Sequence, residues 1–393
     1  MLRIGLVCYE FPPVGGGGGR ALYDLAKNLT KKGHFVHVIT SKFDGLSELE
    51  VREGISIQRI FSFRSQRYLG VLRSTRTTAS PLSLYAFFPC SIPYILKAVK
   101  SKKLDLLHGV FAIPSGLPTV TVAELCNIPS IVTAAGADIY DPTRYRQYRT
   151  VLHPVLRWVI RKASAVTAVS NDMKKRAQML SGREDIEILP FGIDKQKFFS
   201  VARANTEDRH VGITVCRLVQ RKRLDILLRA WKEVASNFED AKLLIVGDGP
   251  KREPLRSMAV DMGIGKNVEF LGYVERTKLP NLYASATVFV CSSSHEAFYI
   301  AGLEAMASGL PVIAPSVGGI PDWLLHNQTG YLYEFGDHRT LAAHVQEIFT
   351  NLDLRNRLGK AAREKAIEFD WERIATRYVH MYHEALAKCS RAT

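Results

Sequence analysis

The chain has 393 residues, 47% of them hydrophobic and 23% charged, an ordinary globular balance in a chain too long for one compact core. No apolar run approaches the roughly 18 residues needed to span a bilayer. The amino-terminal MLRIGLVCYEFPP lacks the parts of a signal peptide, and six scattered cysteines without a C-x-x-C pair point to reduced thiols in a cytoplasmic protein.

In chain order, an apolar run at 3–8 reads as a first β-strand and leads into FPPVGGGGGR, which opens a helical pattern at 20–31. Glycine there frees N–H groups at a helix N-terminus and lets the backbone approach a ligand, which makes Gly15 and Gly16 candidate contacts. The glycine spacing excludes G-x-G-x-x-G, and no Gly-Lys-Ser/Thr follows to make a P-loop. Strands are expected at 35–40, 55–60, 104–108, 130–133, 165–169 and 186–189, with helical patterns between them at 84–100, 115–126, 145–161 and 171–180. The polar stretch 195–209 reads as a linker. Alternation restarts with strands at 211–216, 242–246, 268–270, 287–290, 312–314 and 330–333, and only helices follow from 339 to 388. Such alternation predicts an α/β protein with parallel sheets covered on both faces. The expected division is a domain at 1–194, a linker at 195–209, a domain at 210–370 and a closing helix at 371–393.

The net charge of +15 is lopsided: residues 1–200 hold 28 basic against 15 acidic side chains, and residues 201–393 hold 25 against 23. Ten basic residues and one acid, Glu53, fall between 51 and 103. From 144 to 162, Arg144, Arg146, Arg149, Arg157 and Arg161 alternate with aromatic and aliphatic residues such as Tyr145, Tyr148 and Trp158. A helix lying on an anionic membrane surface has this pattern, a solvated face being the alternative. No recognition motif accompanies the charge, so nucleic acid is not an expected partner.

The most informative stretch is SSSHEAFYIAGLEAMASGLPVIAPSVGG, 292–319. It reads as a loop after a strand, a short helix and a second strand, with Glu296 on the loop and Glu304 in the helix. The N–H groups of Ile300, Ala301, Gly302 and Leu303 would point from the helix N-terminus toward that loop, a place suited to phosphate. Two carboxylates beside it, without metal-ligand spacing, suit the hydroxyls of a sugar and a ribose, and no metal is expected. Arg217 and Lys222, in VCRLVQRKRLDILLRAW, follow a strand and open a helix, where a doubly wound sheet binds ligands. Arg offers a bidentate fork and Lys a point charge to a diphosphate.

The 292–319 stretch resembles the E-x7-E signature of retaining glycosyltransferases of family 4, with Ala297 and Tyr299 where that family usually has glycine. The segment around Arg217 resembles the family's G-R-L-x-x-x-K-G, with Cys216 and Arg223 replacing its glycines, and the resemblance extends over nearly the whole chain. It implies the GT-B fold: two Rossmann-like domains facing a cleft, with carboxyl-terminal helices, the last of which packs back on the first domain. It implies a metal-independent, retaining hexosyltransferase that needs no cofactor and uses a nucleoside diphosphate sugar as donor. The acceptor would be a glycan or lipid-linked molecule of cell-envelope or exopolysaccharide synthesis. The basic first half, with the stretch 144–162, adds the expectation of a protein peripheral on the inner membrane face.

Glu296 would bond the donor sugar and Glu304 the ribose, while Arg217 and Lys222 neutralise the diphosphate. The donor would also touch Gly15, Gly16, Asp138, the backbone at Tyr273 and Val274, and Ala297, Phe298, Tyr299 and Ile300 through Leu303. Many relatives carry histidine where this chain has Ala135, and His108 matches a family position at a strand end on the cleft. The alternatives are a sugar-nucleotide-binding protein without turnover and a sugar-nucleotide epimerase on the same fold.

Overall fold

The computed structural model describes residues 1–43, 45–60, 81–136, 139, 149–201 and 209–392, the side chains of 81–86, 149–151 and 392 excepted. They form two compact units, one built from the chain before Ile193 together with Trp371–Thr393, the other spanning Ile193–Asp370. The stretch 195–209, read as a linker, begins with a short helix, Lys195–Phe199, that belongs to the second unit.

The first unit holds an eight-stranded sheet of β1 (Arg3–Val7), β2 (Phe35–Ser41), β3 (Leu49–Arg52), β4 (Ile55–Ile60), β5 (Leu106–Val110), β6 (Ser130–Ala134), β7 (Ala165–Ala168) and β8 (Ile186–Ile188). Their order is β3-β4-β2-β1-β5-β6-β7-β8, parallel throughout except for β3 against β4. The inner strands are apolar runs because both faces are covered. β3 carries no such run: Leu49 and Val51 are exposed, so it gives no burial signal in the sequence. It forms because Glu53 and Gly54, at φ 49° and 77°, make the two-residue turn that matches strand twist.

The second unit holds a six-stranded sheet of β9 (Val211–Val215), β10 (Lys242–Val246), β11 (Val268–Gly272), β12 (Val288–Val290), β13 (Val312–Pro315) and β14 (Gly330–Tyr333). Its order is β11-β10-β9-β12-β13-β14, all parallel. Helix Leu224–Asn237 buries Leu224, Leu227, Leu228, Trp231 and Val234, spaced at three and four residues, against this sheet. The Trp231 ring lies where a side chain on β9 would stand, since a Cβ at Gly212 would meet it at 2.5 Å. Removing that ring leaves a cavity worth about 3–5 kcal/mol.

The carboxyl-terminal helix, Trp371–Ala392, belongs to the first unit. Its Tyr382 hydroxyl lies 2.8 Å from Nδ1 of His108, whose Nε2 lies 2.7 Å from Oγ1 of Thr133. His108 is fully buried, and burial lowers its pKa to about 3, so it stays neutral. The cleft-facing position that the resemblance implied for His108 is therefore corrected: it holds the closing helix to β5 and β6.

Candidate active site

β9 and β12 are neighbours, but the chain leaves β9 toward β10 and leaves β12 toward β13, on the opposite side. At such a switch point the loops after the two strands splay apart and leave a crevice at their carboxyl ends. The loop after β9 carries Arg217, Arg221 and Lys222, and the loop after β12 carries Glu296. Ser292 Oγ donates to the carbonyl of Lys222 at 3.0 Å, and Ser294 N to that of Arg221 at 2.9 Å, so the two loops are stitched together.

Lys222 Nζ and Glu296 Oε1 form a buried ion pair. Arg221 adds a second cation, its NH1 lying 3.3 Å from Oε2 of Glu296. Burial alone would raise the Glu296 pKa, but the Lys222 and Arg221 charges and hydrogen bonds from Lys222 and Ser293 outweigh it and lower the value to about 2. Glu296 is thus an ionised acceptor at any working pH. Lys222 does not open the following helix, as expected from the sequence. It lies in a 3₁₀ turn, Gln220–Lys222, and Arg223 at φ 45° joins that turn to the helix Leu224–Asn237. Arg217 is exposed, with no ion-pair partner among the described residues.

Helix Ile300–Ala307 begins behind this pair. Tyr299, at φ 74°, turns the chain into it, a backbone conformation that explains why glycine is usual there. Its side chain was expected to crowd the place of a sugar ring; it is buried instead, with its hydroxyl donating to the Val215 carbonyl at 3.4 Å and Lys222 Nζ lying 4.4 Å from the ring centroid. The N–H of Gly302 donates back to the Tyr299 carbonyl at 3.2 Å, so the first turn does not offer all four amides. Gly302 itself is required, because a Cβ there would meet the Trp323 ring at 2.5 Å. Phe298 is core: its carbonyl accepts from Trp323 Nε1 at 2.7 Å, and its ring packs 5.8 Å from that of Phe369. Leu303 is fully buried, and Ala297, Ile300 and Ala301 are half-buried.

Glu304 is buried one turn into this helix, beside partners that no motif in the sequence marks. Arg276, on the loop after β11, donates to Glu304 Oε1 from Nε at 3.1 Å and from NH2 at 2.6 Å. The Tyr283 hydroxyl, kept protonated by burial, donates to Oε2 at 3.3 Å. Tyr273 is exposed and Val274 half-buried on that same loop. Arg221, Arg276 and Tyr283 are the site residues missed in the sequence. An argument that two buried carboxylates need cations could have found the two arginines without saying which, and nothing in the sequence pointed to Tyr283.

The glycine loop lies in the first unit. There Gly15 takes φ 116°, and Glu10 accepts hydrogen bonds from the N–H groups of Gly16 and Gly19, each at 3.0 Å. The helix accordingly starts at Gly17, three residues earlier than expected. Of the two glycines that the sequence offered to a ligand, Gly16 thus has its amide held by the chain's own carboxylate. Asp138 lies outside the described residues.

Comparison with known proteins agrees with this geometry. Residues 15–197 match the description Glycosyltransferase Family 4 and residues 194–365 match Glycosyl transferases group 1. The chain is 32% identical to a GDP-mannose-dependent α-(1-6)-phosphatidylinositol monomannoside mannosyltransferase of Mycobacterium tuberculosis, over 96% of this chain and 97% of that one. It is 28% identical to N-acetyl-α-D-glucosaminyl L-malate synthase of Bacillus anthracis, over 98% and 97%. Among solved structures, sucrose-phosphate synthase from Thermosynechococcus elongatus superposes with a TM-score of 0.84 at 20% identity, over 99% of this chain and all of that one. With two family descriptions spanning most of its length and a relative at 32% identity end to end, the chain belongs to glycosyltransferase family 4 and has the GT-B fold.

Proposed function

We propose that the protein is a retaining hexosyltransferase, with the first unit on the acceptor side and the second binding a nucleoside diphosphate sugar. The observation that carries this reading is the Glu296–Lys222–Arg221 cluster at the switch point of the second sheet. A carboxylate held at about 2 cannot donate a proton, and two cations on it make it a poor nucleophile. It suits orientation of a donor sugar through its hydroxyls, while Lys222, Arg221 and the exposed Arg217 oppose charge building on the leaving diphosphate. In the reaction the bond between the anomeric carbon and phosphate oxygen breaks and the acceptor oxygen bonds to that carbon on the same face. The acceptor proton passes to the departing phosphate oxygen, so no protein base is required and Ala135 is tolerated. Glu304, steadied by Arg276 and Tyr283, would accept hydrogen bonds from the ribose, and no bound metal takes part.

The test is single-turnover transfer from a panel of nucleoside diphosphate hexoses, with the anomeric configuration of the product read by NMR. An inverted product, or donor binding that survives Glu304→Ala unchanged, would overturn the assignment.

We propose further that the acceptor is lipid-linked and the protein peripheral on the inner membrane face. Helix Arg149–Lys162 exposes Arg157, Trp158, Arg161 and Lys162, and the adjoining helix Asn171–Ser181 exposes Lys175 and Met179. Exposed cations on the same two helices as an exposed indole suit anionic headgroups, each worth about 1 kcal/mol near the surface, although Lys162 already pairs with Glu124 at 3.3 Å. Arg144 and Arg146, also counted on from the sequence, lie outside the described residues. Arg157→Gln with Trp158→Ala should abolish salt-sensitive binding to anionic vesicles and leave donor affinity intact. A wild type that ignores such vesicles at low salt sinks the reading.

A further inference from the structure

Lys222 is held on two sides by residues of one loop. Glu296 Oε1 accepts from its Nζ, and the centroid of the Tyr299 ring lies 4.4 Å from that nitrogen. The lysine backbone is fixed as well: its N–H donates to the Val219 carbonyl at 3.0 Å, and its carbonyl accepts from Ser292 Oγ at 3.0 Å. An ammonium has three donors, and in a buried place each needs a partner. The Lys222 side chain is 7% exposed, and among the described residues its Nζ hydrogen-bonds to Glu296 alone. The face of the Tyr299 ring is the second negative surface it meets, and such a face attracts a cation most where water is excluded.

The chain accepts strain to put a ring there. Tyr299 has φ 74° and ψ 71°, the left-handed region that a residue with a Cβ occupies at a cost. Its hydroxyl does little to offset this, since the bond to the Val215 carbonyl is long at 3.4 Å. The contact with Phe289, at a centroid distance of 5.9 Å, is apolar packing that an aliphatic side chain also provides. Gly302 makes room on a further side, because a Cβ there would lie 3.2 Å from Tyr299 Cδ1. Only an aromatic side chain can both fill this space and hold an ammonium.

Placement matters for this lysine. Charge on a leaving diphosphate builds as the sugar–phosphate bond breaks, and a cation already in position stabilises it without reorganisation. The lysine stem is flexible, and one carboxylate by itself leaves Nζ free to swing about it.

We propose that Tyr299 is a positioning residue for transfer: the face of its ring, acting through Lys222, fixes Nζ where the leaving diphosphate gains charge. The inference rests on the transferase reading.

The test measures kcat and donor affinity of the full chain with Tyr299→Phe, Tyr299→Leu, and mono-, di- and trifluorinated phenylalanine at the same position. Fluorine withdraws negative charge from the ring face and barely changes its shape. Tyr299→Phe should keep kcat within about twofold of wild type, and each fluorine should lower it, to about tenfold below with three; Tyr299→Leu should lose about as much. Donor affinity, read by calorimetry, should stay within about threefold throughout, because the charge that Lys222 opposes is largest in the transition state.

A side chain that served packing alone would give the same kcat along the fluorinated series. A flat series overturns the inference, as does a fall in donor affinity matching the fall in kcat. Loss of rate already in Tyr299→Phe would assign the effect to the hydroxyl and overturn it too. In each of these cases transfer by the wild type stands. If the wild type transfers sugar from no nucleoside diphosphate hexose, the transferase reading fails and this inference with it.

Discussion

The two sheets are wound the same way, yet their switch points are equipped differently. In the second sheet the loops after β9 and β12 bring Arg221 and Lys222 onto Glu296, a buried arrangement with an excess of positive charge. In the first sheet the loops after β1 and β5 bring Tyr9 against Phe111, and Glu10 on the first of these loops accepts from the amides of Gly16 and Gly19. The same topology provides a crevice in both, but the side chains decide whether its lining is charged or aromatic. Fold similarity therefore carries the location of a ligand and not its chemistry.

The sharpest way to break the contrast is at Lys222. On the proposed reading, Lys222→Met should lower transfer by about 10²-fold or more, the loss of one charge set against the leaving group. From the sequence, loss of this side chain should leave folding little changed; burial against Glu296 alters that expectation. An uncompensated buried carboxylate costs about 3–5 kcal/mol, reduced here because Arg221 remains. Denaturant unfolding that matches wild type would show that the pair is not buried in solution.

Acid separates the units next. His108 and His37 in the first unit are held neutral by burial, at about 3 and about 4 against an ordinary 6.5. Their folded values are depressed, so the stability they contribute is full above pH 6.5 and falls as pH drops toward those values, by about 1.4 kcal/mol per pH unit per proton. Glu296 in the second unit is lowered from 4.5 to about 2, so its contribution is full above 4.5 and is lost only between 4.5 and 2. His344 in the second unit is lowered by burial too, though less, so between pH 6.5 and 4.5 the first unit should lose more stability than the second. Hydrogen exchange from pH 7 to 3, followed unit by unit, reads this order; a reversed order would contradict it.

A smaller effect is expected at the carboxylate deeper in the second site. Arg276→Ala should weaken nucleoside diphosphate binding by about tenfold, the scale of one charge-assisted hydrogen bond. It should also reduce discrimination against the 2′-deoxy and 3′-deoxy nucleotides, which a purely structural role would leave intact. Calorimetry with the ribo and deoxy ligands measures both.

The smallest effect concerns backbone strain. Arg223 sits at φ 45° and pairs with Asp225 at 2.8 Å on a half-exposed surface. Arg223→Gly relieves about 1–2 kcal/mol of left-handed strain and loses an ion pair worth at most about 1 kcal/mol. The variant should be at least as stable as wild type, while Arg223→Ala should be less stable than Arg223→Gly. Equal melting temperatures for the two would remove the strain from the account.

Much of this site was legible before any coordinates. Glu296, Glu304 and Lys222 stand out because acidic and basic residues flanking apolar runs mark the carboxyl ends of buried strands. The alternation of strands and helices likewise gave every strand except β3, whose pairing depends on a turn at Glu53 and Gly54 and not on burial. Tyr299 and Phe298 were less legible. Two and three residues after Glu296, they looked like ligand contacts, but a left-handed turn and the Trp323 contact send both inward. Arg276 was invisible, because its partner lies 28 residues away and on another element.

By itself the sequence determined what depends on local pattern: the α/β class, the two-part organisation read from the broken alternation, and the loops on which the chemistry sits. Apolar periodicity and glycine placement act over a few residues, and they are written in order along the chain. The tertiary structure alone decided which charges meet. Lys222 reaches Glu296 across 74 residues because β9 and β12 are neighbours, Arg276 reaches Glu304 from an edge strand's loop, and Glu10 takes the amides of Gly16 and Gly19. A charge is stable in a buried place only beside its partner, and strand order, which no local pattern specifies, chooses that partner.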